Sequence, residues 1–165
     1  MNILETEDEL KNCEECQYFS FSGQTHLIKV IKCYDGDTLY CIFKHDGGYY
    51  KFKIRMDGYD TAEMKPSRKI PDQERDEIKK RALEAKKRLE ELTMNQLVYL
   101  ECREFDKYGR ILGVIKRELD DKKSVNDMMI EEGHGVVYHG GTKNINGREN
   151  INKGENIKRA KRETK

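Results

Sequence analysis

The chain has 165 residues, 36% of them apolar and 38% charged, and its 32 basic and 31 acidic side chains nearly cancel to a net charge of +1. That length suits one compact domain with a real core. The balance of charge excludes a uniformly basic protein that coats polyanions, and no apolar run approaches the length needed to cross a bilayer as a helix.

Charge is distributed unevenly. Residues 1–16 carry six carboxylates against Lys11, and residues 153–165 carry six basic side chains against Glu155 and Glu163. An acidic N-terminal segment (1–24), a folded domain (25–139) and a polar, basic tail (140–165) are therefore expected, both ends being flexible. The N-terminus lacks the basic start and apolar run of a secretory leader. Five cysteines, an odd number, suit a reducing compartment. The protein is expected in the cytoplasm, and outside the cell only if a leader has been removed. Cys13-x-x-Cys16 has the spacing of half a zinc site, but no second pair completes it. Two unligated thiols are the expectation, with a joint site involving Cys33, Cys41, His26 or His45 as the minor alternative.

In chain order, residues 27–33 and 38–43 are β-rich runs separated by Tyr34-Asp35-Gly36-Asp37, which predicts a hairpin with Asp37 at its mouth. A turn at His45-Asp46-Gly47-Gly48 leads into residues 50–57, where Tyr50, Phe52, Ile54 and Met56 alternate with Lys51, Lys53, Arg55 and Asp57. This period of two predicts a strand with Arg55 opposite its apolar face. Residues 64–71 hold both prolines and read as a loop. Pro71 and Asp72 open a long helix whose apolar stripe is Ile78, Ala82, Ala85, Leu89 and Leu92. Strand-like runs at 97–105 and 111–119 flank the turn Asp106-Lys107-Tyr108-Gly109. Ser124 with Asp127 predicts an N-cap for a helix over Val125–Glu132, stopped by Gly133. Residues 140–157 are rich in Asn and Gly and read as loop. Five strands and two helices in so short a chain predict a mainly β, α+β domain, a small closed barrel without free edges.

Chemistry is concentrated in three stretches: Asp35-Gly36-Asp37-Thr38; Arg55 followed by Asp60-Thr61-Ala62-Glu63; and Asp106-Lys107-Tyr108-Gly109-Arg110. Two carboxylates can hold a hard cation, a third can activate water, and two guanidinium forks can neutralise a phosphate. In order and spacing these residues resemble the staphylococcal nuclease (thermonuclease) family, whose pattern runs DGDT, then Arg five residues before D-[AT]-P-E, then DKYGR. The resemblance covers roughly residues 28–138. It implies a five-stranded oligonucleotide/oligosaccharide-binding (OB) barrel, with a long helix between strands three and four and a short helix after strand five. It further implies Ca2+ held by Asp37, Asp60 and the Thr61 carbonyl, with Glu63 as general base and Arg55 and Arg110 on the reacting phosphate. Lys107 and Tyr108 would contact a terminal phosphate, and Tyr138 would stack on or hydrogen-bond the nucleotide. Ala62 departs from the pattern, standing where the family has proline, and the family's closing helix has no clear counterpart.

The expected function is a calcium-dependent, sequence-unspecific nuclease acting on DNA, with RNA left open, and leaving 3′-phosphates. It is expected to be monomeric, with no membrane partner. The alternatives are a catalytically inactive nucleic-acid-binding OB barrel and, from another class, a protein-interaction module.

Overall fold

The computed structural model describes residues 10–138; the first nine residues and the tail expected over 140–165 lie outside them. Five strands close a barrel: β1 (Thr25–Cys33), β2 (Thr38–His45), β3 (Gly48–Met56), β5 (Leu97–Phe105) and β6 (Ile111–Lys116). Their order around it is β1-β2-β3-β6-β5, with β1 closing on β5. Neighbours are antiparallel except β3 and β6, which run parallel and join the two halves. Helix α1 (Asp72–Thr93) bridges β3 to β5, and α2 (Val125–Glu131) follows β6, the helix placement expected of the OB barrel. A two-residue pair, β4 (Tyr59–Asp60) with β7 (Val136–Val137), lies outside the barrel.

Alternation along the strands builds the core. Ile28 and Val30 of β1, Leu39, Cys41 and Phe43 of β2, Ile54 and Met56 of β3, and Leu100 and Ile115 opposite them are almost fully buried. Each such side chain contributes about 1.5–3 kcal/mol when removed from water. The predicted stripe of α1 covers one side: Ala82, Ala85, Leu89 and Leu92 are buried, and the helix packs on β1 and α2. Phe21, upstream of β1, also belongs to the core at 2% exposure. Its ring meets Phe43, Phe52, His26 and His45 edge-on, an arrangement aromatic quadrupoles favour.

Local signals account for the ends of several elements. Ser124 and Asp127 form a reciprocal capping box at α2, and Gly133, with φ of +80°, follows its C-terminus. The strand expected to run to residue 119 stops at Lys116, because Asp121 turns the chain back by accepting from the Glu118 N–H at 3.1 Å.

Cysteine chemistry divides in two. Cys13 and Cys16 are joined as a disulfide, which corrects the expectation of two unligated thiols: with Cα atoms 6.9 Å apart their sulfurs are near enough to bond each other. Cys33, Cys41 and Cys102 are free and buried in the barrel. Burial pushes the Cys33 and Cys102 thiols up to about 11 and Cys41 up to about 12, from an ordinary value of 9.0. Folded-state values above the unfolded one stabilise the fold fully below pH 9, and that contribution is lost as pH climbs from there through about 11. Thiol titration at pH 8 after mild reduction should accordingly count two fast thiols in the native protein and five in denaturant; fast reaction of a third would contradict the packing.

Candidate active site

Pairing of β2 with β3 sets Thr38 opposite Arg55, so the residue after Asp37 lies beside the arginine although eighteen positions separate Asp37 and Arg55. The Asp37 carbonyl accepts from the Met56 N–H at 2.8 Å, which fixes the hairpin mouth to the end of β3. Beyond Met56 the chain turns at Asp57-Gly58, the glycine taking a φ of +84°. Asp60 thus stands on β4, two residues past that glycine.

That turn folds Asp60 back onto the guanidinium. Arg55 Nη2 donates to Asp60 Oδ1, while Nη1 lies 3.2 Å from Asp37 Oδ1 and also donates to the Asp37 and Met56 carbonyls at 3.2 and 3.1 Å. All three side chains are nearly enclosed: Asp37 is 6% exposed, Asp60 7% and Arg55 9%. The guanidinium is therefore the positive charge between two buried carboxylates, which in its absence would repel each other.

Thr61 anchors the arrangement. Its N–H and its hydroxyl both donate to Asp37 Oδ2, at 2.9 and 3.0 Å, and Thr38 Oγ1 donates to Oδ1 at 3.1 Å. Asp35 accepts from the Asp37 N–H at 3.1 Å. Burial, and then the charge of Asp37, push the Asp35 carboxyl up to about 6. Below the hairpin mouth, Tyr59 donates its hydroxyl to the Gly36 carbonyl at 2.9 Å. Burial first, and the charge of Asp37 second, hold that phenol well above its ordinary value, which preserves the donor. Neither Tyr59 nor Gly36 was singled out by motif reading for this contact.

The third stretch forms a tight turn between β5 and β6. Asp106 organises it, accepting from the Tyr108 and Arg110 N–H groups at 2.8 and 2.9 Å and from Arg110 Nε at 2.6 Å. Burial alone would raise the Asp106 carboxyl, but the hydrogen bonds from Arg110 and Tyr108 and the Arg110 charge outweigh it and hold it below the ordinary carboxylate range. Arg110 Nη1 reaches Thr38 Oγ1 at 3.4 Å, so the second arginine meets the threonine that holds Asp37. A groove of about 390 Å³ gathers Arg55, Asp57, Lys107, Tyr108, Arg110 and Tyr138. Tyr138 is brought there by its N–H donating to the Gly58 carbonyl at 2.9 Å. Glu63 is exposed, three residues past Asp60 in the loop after β4, and is not among the groove's lining residues.

A buried asparagine ties these parts together and carried no sequence signal. Asn126 accepts from the Ile115 N–H at 3.0 Å and donates to the Asp57 and Gly113 carbonyls at 2.8 and 3.0 Å. It fastens α2 to the turn that delivers Asp60.

The family model described as "Staphylococcal nuclease homologue" matches residues 53–165. The chain belongs to the staphylococcal nuclease homologue family. Members of this family are typically nucleases, which implies a nucleic-acid substrate. Comparison with curated proteins returns no match. The matched span of this staphylococcal nuclease homologue holds Arg55, Asp60, Thr61, Glu63, Lys107, Tyr108, Arg110 and Tyr138, whereas Asp37 precedes it and joins them through the β2–β3 register. Among the described residues no helix is long and apolar enough to cross a membrane.

Proposed function

We propose that this chain is a calcium-dependent, sequence-unspecific nuclease that hydrolyses phosphodiester bonds of DNA, and of RNA as a second substrate, leaving 3′-phosphates. The observation that carries this reading is the convergence of two buried carboxylates, Asp37 and Asp60, on one guanidinium beside a groove that also holds Arg110. Their donors are all oxygen, which suits a hard divalent cation over zinc or copper. Among the described residues no group of three or more His, Cys, Asp or Glu side chains could hold a metal ion. Asp37 and Asp60 would consequently need the Thr61 carbonyl, water and a substrate phosphate oxygen to complete a shell. When bound there, Ca2+ supplies Lewis-acid stabilisation of the phosphoryl oxygens.

The remaining steps are assigned to the chain's own side chains. Arg55 presents its fork to the phosphate from the end of β3, and Arg110 approaches the same group from the β5–β6 turn. Both can follow the charge that builds on the equatorial oxygens. Glu63 takes the proton of the attacking water, and the 5′-oxygen leaves. Lys107 and Tyr108 contact a terminal phosphate, and Tyr138 borders the nucleotide. A groove without a base-reading element accounts for low sequence preference.

Glu63→Gln keeps size and polarity but removes the base. Turnover should fall by about 10²–10⁴, while affinity for a single-stranded oligonucleotide stays unchanged. Wild-type turnover in that variant would remove the role from Glu63. The competing reading, an inactive nucleic-acid-binding barrel, gives salt-dependent binding with no cleavage by either protein.

A further inference from the structure

We propose that Tyr59 is the positioning residue of the cation site, its buried side chain fixing the separation of the Asp37 and Asp60 carboxylates; this rests on the calcium reading above. Chain connectivity gives it that reach. The main chain of Tyr59 leads directly into Asp60, and its hydroxyl donates at 2.9 Å to the carbonyl of Gly36, whose peptide leads directly into Asp37. One side chain therefore spans from the residue before one carboxylate to the residue before the other. Thr61 aims the Asp37 carboxylate by donating twice to its Oδ2, whereas Tyr59 places the backbone from which that carboxylate extends.

The strut has little slack at either end. Tyr59 is 0% exposed, Gly36 is buried, and among the described residues no other donor reaches the Gly36 carbonyl. A phenol so enclosed costs free energy unless its hydroxyl is bonded, and a carbonyl so enclosed has no solvent to replace a lost donor. The ring lies against bare backbone: a Cβ on Gly135 would overlap Tyr59 Cδ2 and stand 3.1 Å from Cγ. Pairing of Tyr59 with Val137 and of Asp60 with Val136 holds the main-chain end. At the far end Gly36 is closed in by Ala85 and Thr61. A cation shared by two side chains fixes its ligand distances to within about 0.2 Å, so a group that sets their spacing without touching the ion typically alters affinity by about 10–100-fold.

Tyr59→Phe keeps the ring and removes the bond to Gly36. Affinity for Ca2+, read from the rise of melting temperature with Ca2+ concentration and from isothermal titration, should fall about 10-fold. At saturating Ca2+, kcat on single-stranded DNA should stay about 10-fold low while KM matches wild type. Thr93→Val is the control, removing another buried hydroxyl whose partners are the Leu89 carbonyl and the Cys33 thiol. It should melt lower in chelator and bind Ca2+ as wild type does. Gly135→Ala, which pushes the ring, should weaken Ca2+ binding more in the wild-type background than in Tyr59→Phe. Lower melting of Tyr59→Phe with wild-type Ca2+ affinity and kcat would mean that the hydroxyl supports the core alone and would overturn the proposal, as would an equal loss of affinity in Thr93→Val. If wild type binds Ca2+ but cleaves nothing, the nuclease reading fails by itself and the affinities still decide. If it binds no Ca2+, the cation reading fails by itself, and melting of the Tyr59→Phe/Asp37→Asn cycle in chelator decides: coupled losses support the strut and additive losses end it.

Discussion

Arg55→Ala should remove cleavage altogether and, measured in chelator, destabilise the fold by about 3–5 kcal/mol, the usual cost of taking one partner out of a buried ion pair. The reason is the enclosure of what is left behind. Asp37 and Asp60 would face each other at 6% and 7% exposure without the charge that now separates them. Millimolar Ca2+ should then recover much of the lost melting temperature, because a ligand bound only by the native state stabilises it, while activity stays absent for want of the fork. Arg55→Lys should fall between the two in stability and remain nearly inactive, since an ammonium offers a point charge instead of a bidentate face. Thermal melts with and without Ca2+, paired with digestion assays, read both effects. An alanine variant that melts like wild type in chelator would show that the guanidinium does not balance the two carboxylates.

Gly36→Ala should cost nearly as much function through packing alone. A Cβ at this position would lie 2.7 Å from Ala85 Cβ and 2.8 Å from Thr61 Cγ2, atoms fixed to α1 and to the loop after β4. Neither can swing aside like the end of a long side chain, so the helix or the loop must move, at about 1–3 kcal/mol. Movement of Thr61 is transmitted to the site, because its N–H and hydroxyl hold Asp37 Oδ2, and a displacement of about 1 Å can lower a rate about 100-fold. Adding Ala85→Gly should recover part of the activity by removing one of the two clashes, even though glycine inside a helix costs about 1 kcal/mol. Additive effects in that double-mutant cycle would contradict the clash.

Gly36 shows where sequence reading reached the right residue for a different physical reason. Read as a motif, the glycine lets a turn close; in the structure it is needed because helix, loop and hairpin meet there without room for a methyl group. The strand ending at Met56 and helix α1 were legible from their periods, the alternation along the one and the stripe through Leu89 on the other, whereas α2 was legible from its Ser124/Asp127 cap and Gly133 stop. The pair β4 and β7 was not legible, since two residues carry no period, and it is this pair, with the Asp57-Gly58 turn, that carries Asp60 back to Arg55. The direct pairing of Arg55 with Asp37 and Asp60 was hidden for the same reason, as no spacing rule joins positions 37, 55 and 60. Asn126 and Tyr59 act through single long-range hydrogen bonds, which leave no pattern in one chain. The family match begins at residue 53, so the placement of Asp37 depends on the motif and the β2–β3 register together.

Digestion of single-stranded DNA by the purified chain in calcium, magnesium or chelator, beside an Arg55→Ala/Glu63→Ala control, tests the central claim most directly. Cleavage that requires calcium and disappears in the control is the predicted result. Bound but intact DNA in every condition would contradict it and leave a nucleic-acid-binding barrel without catalysis.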